Sequence, residues 1–459
     1  MSLEEQQDRA LKGASERVAP RFGARLGSDT GFRWMYVVDV ITLFGLMLLV
    51  TTVRFGFTWP DFSRTEYYLG FAIALVIHLT VSYFGGLYDR ENNLGQVSRL
   101  PRIAGVTGLA VLLDAAVSLG ADKFVMPRLN LAIFGILAAL TMTFSRWLAQ
   151  SVRTARFGRP RVLLVGTPDD IDRAEDHLME SDRDARIVGR RSDVADLAAA
   201  VQETDATDVL LLSGSPISDI YPSPLAELED RRIGVYHRLT PSDTLLGVNK
   251  TRQIAGMPFI SLRNHALPPS KAHFKRLLDL LYLFVASPIV IVVSLLVFAY
   301  AMIVAGRPIF FRQTRVGRRG QTFTMVKLRT MYLGAEDATG PVLADRNDDR
   351  VIPAMAWMRK MRFDEIPQIW NVIKGDMSLV GPRPERPELA EDFETLLPGY
   401  GRRHDIRPGI TGLAQVQGSY HTDPGFKLGH DLQYLVNWSP ILDLTIIVRT
   451  VGVVILRKI

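Results

Sequence analysis

Two adjacent acidic residues, Asp364 and Glu365, stand among basic side chains in one short segment. That segment runs from Arg359 to Glu385 and reads RKMRFDEIPQIWNVIKGDMSLVGPRPE. An acid pair beside arginines and lysines suits phosphoryl chemistry, because one carboxylate can attack phosphorus while the other holds a divalent metal. An ordinary amphipathic helix with solvated charges has the same pattern. Spacing alone leaves both interpretations open.

The elements around the acid pair can be predicted from the same segment. Apolar residues follow at spacings of three and four, which indicates a helix with one apolar face: Ile366, Ile369, Trp370, Val372 and Ile373. Pro367 fits the first turn of that helix, where a missing N–H costs nothing. The GPRP sequence at 381–384 predicts a rigid turn that presents Arg383 as a planar partner for phosphate or carboxylate.

A second basic segment precedes the acid pair in the chain. Residues 310–331 read FFRQTRVGRRGQTFTMVKLRTM, with a turn expected at Gly317–Gly320 between two short strands. The alternation over 322–328 places Lys327 and Arg329 on one face of the second strand.

The composition bounds the class of protein. The 459 residues are 47% hydrophobic and 22% charged, with a formal net charge of +6 and no cysteine. Disulfides, zinc–thiolate sites and thiol nucleophiles are therefore excluded. The basic balance suits anionic lipid or phosphorylated substrates as well as nucleic acid, but nothing else in the sequence favours a nucleic-acid partner.

The N-terminal third has the pattern of a membrane domain. A polar, arginine-rich tail at 1–33 precedes four apolar runs, each near the ~20 residues that cross a bilayer: 34–53, 67–87, 103–120 and 129–148. Basic residues in the tail and after the fourth run put both ends of this region in the cytoplasm. Asp114 interrupts the third run, and we expect it to make a polar contact between helices, the alternative being an intramembrane functional group.

Residues 158–256 are expected to form a Rossmann-like α/β domain. Buried strands are predicted at 161–166, 208–213 and 233–236, alternating with helices. The turn after the first strand, Gly166 to Asp170, has one glycine and two acids in place of a dinucleotide fingerprint. We therefore predict a structural or regulatory domain without a competent phosphate site.

The apolar run from Leu280 to Ala305 contains Ser287-Pro288 and has basic residues on both sides. Proline breaks or kinks a helix, and symmetric positive flanks are unlike those of a spanning helix. These features favour a helix–break–helix hairpin that enters the cytoplasmic leaflet and returns, over a fifth span. The segment from Asp431 to Ile459 is predicted to lie along the membrane surface, with Trp438 at the interface.

Several ordered motifs in the C-terminal part together resemble the bacterial sugar transferases, the polyprenyl-phosphate hexose-1-phosphate transferases in their long, monotopic form. The matching motifs are KRLLD (275–279), Ser287-Pro288, RVGRRGQTFTMVKLRTM (315–331), the acid-pair segment (359–385), RPGITGLAQVQG (407–418) and DLQYLVNWSPILDL (431–444). The resemblance implies a membrane α-helical bundle of four spans, a Rossmann-like domain, and a small α+β catalytic domain on a re-entrant hairpin. The predicted boundaries are a cytoplasmic tail at 1–33, a transmembrane region at 34–152, the α/β domain at 158–256, and a catalytic domain at 270–459 with the re-entrant helix at 277–305.

The resemblance also implies a reaction at the cytoplasmic face of the inner membrane. A UDP-hexose, most simply UDP-glucose or UDP-galactose, would bind with Mg²⁺; Asp364 would attack the β-phosphate, UMP would leave, and undecaprenyl phosphate would take the phosphosugar from the enzyme. Glu365 would help to bind Mg²⁺. Candidate phosphate and substrate ligands are Lys327, Arg329, Arg359, Arg383, Asp376 and Glu385. The membrane motif would comprise Lys275, Arg276, Asp279, Ser287 and Pro288. A homodimer is compatible with so much membrane contact, although no residue argues for it.

Some features depart from the family pattern, and other functions are possible on the residues alone. RKM at 359–361 and Leu328-Arg-Thr-Met331 differ from the usual RKT and FRTM, which leaves the transferred sugar open. One alternative is a membrane-anchored nucleotide-sensing regulatory protein, and another is a transporter with five spans.

Overall fold

A computed structural model describes most of the chain. The described residues are 30–57, 64–89, 94, 100–120, 126–181, 185–212, 219–231, 233–240, 252–254, 256–262, 267–335, 349–417 and 423–455. The tail predicted at 1–33 lies almost entirely outside them. The chain divides into two compact units, one formed by residues 1–92 and 96–159 and the other by residues 93–95 and 160–459.

The first unit consists of four apolar helices. Their bounds are α1 Thr30–Phe55, α2 Arg64–Phe84, α3 Leu100–Gly120 and α4 Arg128–Phe157. Each is long and apolar enough to cross a membrane. Asp114 is fully buried and pairs with His78 at 3.0 Å, as expected of a polar contact between helices. A second buried pair joins Asp39 to Arg146 through two bonds of 2.7 and 3.0 Å.

A six-stranded mixed sheet begins the second unit. Its strands are β1 Arg161–Val165, β2 Arg186–Arg191, β3 Asp208–Leu211, β4 Gly234–Arg238, β5 Arg252–Ile254 and β6 Met257–Leu262. The order is β2-β1-β3-β4-β6-β5, parallel from β2 to β4 and antiparallel thereafter. The helices that accompany it are α5 Pro168–Ser181, α6 Leu197–Thr204 and α7 Leu225–Asp230. Hydrophobic clusters cover both faces: α5 packs on one, α6 and α7 on the other.

Two predictions about this domain need correction. The sheet continues to Leu262, because β6 pairs with β4 beyond the predicted boundary at residue 256. The parallel strands run 2-1-3-4, the order of the flavodoxin-like doubly wound sheets, whereas the dinucleotide-binding order is 3-2-1-4.

The turn after β1 explains why a phosphate is not expected there. Asp170 accepts a hydrogen bond from Thr167 (2.6 Å) and from Arg238 of β4 (3.0 Å), so a carboxylate of the chain already occupies this helix N-terminus.

One long helix, α8, spans Pro269–Val304 and remains helical through Pro288. The predicted break is therefore absent. The Ser287 hydroxyl donates a hydrogen bond to the Phe284 carbonyl, one turn back in the helix, at 2.7 Å. Such a bond from a serine to the preceding turn often accompanies a bend in a helix. The middle of α8 exposes apolar side chains, such as Phe284 (77%) and Ile289 (73%). By length and composition, α8 is the fifth helix of the described chain able to cross a membrane.

Short strands and helices complete the second unit. The strands are β7 Phe310–Val316, β8 Thr322–Leu328, β9 Ser378–Val380 and β10 Gly409–Thr411; the helices are α9 Ala356–Lys360, α10 Gln368–Lys374, α11 Pro387–Leu396, α12 Leu413–Gln417, α13 Pro424–Asn437 and α14 Pro440–Ile455. The antiparallel β7–β8 hairpin confirms the prediction for 310–328.

The C-terminal segment differs from the single surface-lying stretch that was predicted. It forms two helices, and Trp438 between them is only 7% exposed and donates its indole N–H to Asp443 at 3.1 Å. Placing Trp438 at the membrane interface was therefore wrong. The outer face of α14 is apolar and exposed at Ile441 (77%) and Val448 (62%), which fits the predicted position of this helix along the membrane surface.

Candidate active site

The acid pair lies at the start of α10, in a single 3₁₀ turn at Phe363–Glu365. Arg362 enters this turn with φ 60°, in the left-handed region. Pro367 is the N-cap of α10, as its position in the sequence predicts. Both carboxyl side chains are buried, with Asp364 8% and Glu365 5% exposed.

Three cations converge on one oxygen of Glu365. Its Oε1 accepts from Lys327 at 3.0 Å and from Arg383 at 3.0 Å, with Arg362 at 3.5 Å. Burial alone would raise the pKa of Glu365, but these three charges outweigh burial and lower it. Glu365 is therefore a fixed negative charge around which Lys327 and Arg383 are oriented.

Asp364 has the opposite environment. Its Oδ1 is buried, and among the described residues no donor reaches it. Burial, and then the neighbouring charge of Glu365, raise the pKa of Asp364 to about 6, against smaller opposing effects of Lys327, Arg362 and Arg359. This side chain combines the features of a poised nucleophile: a carboxylate oxygen without a partner, low solvation, and cations near enough to attract an anionic substrate.

The hairpin and α10 are held together by one amide. Asn371 accepts from the Val326 N–H at 3.2 Å and donates to the Thr324 carbonyl at 2.8 Å. It is 2% exposed. This bridge fixes β8 against α10 and so brings Lys327 to the acid pair.

The turn that carries Arg383 is fixed from two sides. Gly381 approaches the backbone at Arg407 and Gly409 so closely that a Cβ on Gly381 would collide with the Arg407 carbonyl, which explains the glycines of both motifs. From the other side, buried Arg403 donates to the Arg383 carbonyl at 3.0 Å and forms an ion pair with Asp431 at 2.7 Å.

Three other predicted ligands have partners away from the acid pair. Arg329 donates to backbone carbonyls at the end of α8, including Pro308 (2.7 Å) and Gly306 (3.1 Å), and so caps that helix. Asp376 pairs with Lys374 at 3.0 Å. Glu385 lies 3.9 Å from Arg315 and 3.8 Å from Arg403. These contacts give the three residues structural roles, and their roles as ligands stay predictions.

The position of Arg359 agrees better with its predicted role near the acid pair. It is half-buried on α9, and its charge helps to lower the pKa of Asp364 without a hydrogen bond to it. It therefore contributes to the electrostatic potential at Asp364.

The predicted membrane motif fastens α8 to this domain. Lys275 contacts Asp443 at 2.8 Å and Asp279 at 3.7 Å, and all three residues are buried. Asp279 accepts from Ser378 at 2.7 Å, while Arg276 donates to the Ile373 carbonyl at 2.9 Å.

Sequence reasoning missed three groups that the structure brings into the site: Arg362, Asn371 and Arg403. Arg362 stands two residues before the acid pair, so its proximity was available as a signal. Asn371 and Arg403 act through backbone carbonyls of distant segments, and no spacing in the sequence indicates such contacts.

The model of the bacterial sugar transferase family matches residues 270–457. A UDP-glucose:undecaprenyl-phosphate glucose-1-phosphate transferase of Xanthomonas campestris pv. campestris is 28% identical over 450 residues, covering 90% of this chain and 91% of the relative. An uncharacterized sugar transferase of Bacillus subtilis, EpsL, is 40% identical over 191 residues, with 88% of its own length covered.

The name of a further relative specifies a different sugar. The UDP-N-acetylgalactosamine-undecaprenyl-phosphate N-acetylgalactosaminephosphotransferase of Aeromonas hydrophila is 36% identical over 235 residues. The match covers 50% of this chain and 54% of the relative, so the chain spans about half the length of that protein.

Proposed function

The chain belongs to the bacterial sugar transferase family, and on that premise we propose that it transfers a hexose-1-phosphate from a UDP-hexose to undecaprenyl phosphate, releasing UMP. This would be the first membrane step of exopolysaccharide, capsule or O-antigen synthesis. Glucose and galactose remain the proposed sugars. The names of the relatives include glucose and N-acetylgalactosamine, so N-acetylgalactosamine belongs in any donor test.

The proposed mechanism rests on the different surroundings of the Asp364 and Glu365 carboxylates. An Asp364 oxygen attacks the β-phosphorus of the donor, the bond from that phosphorus to the bridging oxygen breaks, and UMP leaves with the electron pair. The phosphate oxygen of undecaprenyl phosphate then attacks the same phosphorus and returns the Asp364 carboxylate. The free, poorly solvated oxygen of Asp364 supports this role, whereas Glu365 Oε1 is engaged by three cations.

The surrounding charges suit a diphosphate donor. Lys327, Arg383 and Arg362 lie on one side of the acid pair and Arg359 contributes from α9, so anionic phosphates can approach an anionic carboxylate.

The acid pair also suits Mg²⁺. The described residues contain no group of three His, Asp or Glu that converges on one point, and Mg²⁺ at nucleotide sites commonly uses one or two carboxylates with substrate phosphates and water. The second oxygen of Glu365, which takes no part in the three contacts to Oε1, fits that requirement and leaves the partnerless oxygen of Asp364 for the attack on phosphorus. When bound, the ion would neutralise charge on the diphosphate.

The contacts of α8 support a site at the membrane surface. Tyr221, before α8, donates to the carbonyl of Gly399, after α8, at 3.2 Å. The two domains that flank α8 in sequence therefore touch, and a spanning helix would place them on opposite sides of the bilayer. This supports the proposal that α8, although continuous in its helical backbone, bends at Ser287-Pro288 and so enters and leaves the cytoplasmic leaflet. Water-soluble donor and lipid acceptor would then reach one site.

The decisive test is UMP release from a panel of UDP-sugars, with undecaprenyl phosphate and Mg²⁺, by the full chain in detergent. Wild type should release UMP with one sugar, and Asp364→Asn should reduce the rate by about 10³-fold or more, as loss of a nucleophile does. Asp392→Asn, an exposed carboxylate on α11, is the matched control and should keep wild-type activity.

Intact-mass measurement separates the covalent step from simple binding. With the donor and no lipid acceptor, wild type should gain the mass of one phosphohexose, and Asp364→Asn should gain nothing. Full activity in Asp364→Asn would rule out the nucleophile assignment. Failure of every sugar in the panel would rule out the proposed donor class.

A further inference from the structure

A polar cavity of about 270 Å³ lies at the far end of the β8–α10 pair. Its lining includes Arg318, Arg319 and Thr322 from the hairpin turn, Gly375 and Asp376 after α10, and Arg407. The acid pair is not part of the lining. None of the lining residues is given a step in the reaction described above, and Asp376 is connected with it only as a predicted ligand.

The cavity is separated from the acid pair by the length of the elements between them. Lys327 and Thr322 are five residues apart on β8, or roughly 17 Å in an extended strand. Glu365 and Gly375 bracket α10, about 15 Å apart at 1.5 Å per residue. Because Asn371 holds β8 and α10 side by side, both elements run from the acid pair to the cavity.

The charge of the cavity is strongly positive. Asp376 is its only acidic lining residue among those described, and Lys374 pairs with it at 3.0 Å. Three arginines remain. Burial, and then the charges of Arg319 and Arg407, lower the pKa of Arg318, while Asp405 opposes them. The arginines are therefore close enough to repel one another.

Hydrogen bonds to the backbone account for the positions of Arg407, which lines the cavity, and of Arg276 beside it. Arg407 Nε donates to the Gly375 carbonyl at 2.8 Å, and Arg276 donates to the Ile373 carbonyl at 2.9 Å; both cap the negative end of α10. The side chains of Arg318 and Arg319 have no such explanation. Within the described part of the chain neither makes a hydrogen bond or ion pair, and Arg319 adopts φ 60° on the turn.

The cavity lies beside the beginning of the apolar part of α8, the helix that the proposed function places in the membrane. A Cβ on Gly375 would lie 3.7 Å from Arg276, which stands where α8 changes from polar to exposed apolar residues at Leu277 (50%). Trp370 (64%) and Ile373 (50%) of α10 are exposed beside it. Arginine and tryptophan at such a border are typical of the headgroup layer.

We propose that this cavity is a second phosphate-binding site, distinct from the acid pair, which takes the phosphate diester of an anionic lipid headgroup. Guanidinium groups match phosphate oxygens in a bidentate manner, and Arg318 and Arg319 are available for that contact. A free phosphate monoester such as UMP presents the same chemistry, so the test separates the two sources.

Native mass spectrometry of the full chain in neutral detergent provides the first arm, with phosphatidylglycerol as the probe and phosphatidylcholine as the neutral comparison. Arg318→Gln and Arg319→Gln should each weaken phosphatidylglycerol binding by about tenfold, the usual effect of one charged hydrogen bond. Arg312→Gln removes the same charge from an exposed position on β7 and should change nothing. Arg319 is exposed, so its variant tests the site without disturbing the fold.

Calorimetric titration of the same proteins with UMP provides the second arm. Unchanged UMP affinity in Arg318→Gln and Arg319→Gln supports the lipid assignment. Weaker UMP binding with unchanged phosphatidylglycerol binding would keep the phosphate site and overturn its lipid source. Equal phosphatidylglycerol binding by all three variants, together with unchanged UMP affinity, would overturn the proposal, whatever the outcome for Asp364.

Discussion

Asp364 and Glu365 are neighbours in the chain but opposite in character. Oε1 of Glu365 accepts from Lys327 and Arg383, whereas Asp364 is buried without a donor on Oδ1. The 3₁₀ turn directs the two side chains into different surroundings, and those surroundings separate their pKa values. Such divergence between adjacent acids supports the proposed roles, with Asp364 as the reactive group and Glu365 as the group that orients the cations.

The raised pKa of Asp364 predicts an acid limb in the pH profile. The nucleophile must be ionised, so kcat/KM for UMP release should fall as pH decreases through about 6, where Asp364 becomes protonated. The profile is measured with saturating Mg²⁺ in detergent. A profile that stays flat between about pH 5 and 8 would contradict the assignment.

A matched pair of variants tests the origin of that limb. Arg359 lowers the pKa of Asp364, so Arg359→Gln should move the limb to higher pH and reduce the rate near pH 6 by a few-fold. Lys360→Gln loses the same charge from the exposed neighbouring position and should leave the profile unchanged. Equal shifts in both variants would mean that general surface charge, not the position of Arg359, sets the limb.

Individual site residues could be predicted where a local pattern fixes their direction. Lys327 follows from strand alternation and Arg383 from the rigid GPRP turn, and both reach Glu365. Arg329 shares the alternation of Lys327, yet it caps α8, because the carbonyls at 305–308 become neighbours only after folding. Trp438 is of a residue type that is common at membrane interfaces, but its side chain is buried and donates a hydrogen bond to Asp443.

At the scale of elements, α8 is anchored by a buried ionic cluster of Lys275, Asp279 and Asp443. Lys275→Met would leave two buried carboxylates without their counter-charge. Breaking such a cluster typically costs about 3–5 kcal/mol, so thermal unfolding of the full chain should shift clearly downward. Lys360→Met, at an exposed position, should leave the transition where it is. An unchanged transition in Lys275→Met would show that the cluster does not hold α8 to the catalytic domain.

The course of α8 also shows where element prediction reaches its limit. Ser287-Pro288 predicted a break in the helix, but the backbone remains helical there, and Ser287 donates to the Phe284 carbonyl. The strands β2 and β5 escaped prediction because β2 carries three arginines in six residues and β5 has only three residues. Their pairing depends on partners elsewhere in the sheet. Local sequence thus indicated the elements with strong apolar periodicity and missed those stabilised mainly by neighbours.

For the whole molecule, the central question is whether α8 crosses the membrane. Its length and composition permit crossing, but Tyr221 on one side of it in sequence contacts Gly399 on the other. The absence of cysteine allows a direct test with single cysteines and a membrane-impermeant maleimide in right-side-out vesicles. Suitable exposed positions are Met179 (64%) before α8 and Leu396 (71%) after it.

Both cysteines should be protected in sealed vesicles and labelled after permeabilisation, because a re-entrant α8 keeps both domains in the cytoplasm. Phe57→Cys, 83% exposed at the end of α1, should be labelled in sealed vesicles and verifies access to the outer face. Labelling of Leu396→Cys alone in sealed vesicles would mean that α8 spans the bilayer. It would also separate the acid pair from a cytoplasmic UDP-sugar, so this one topology decides whether the proposed reaction is physically possible.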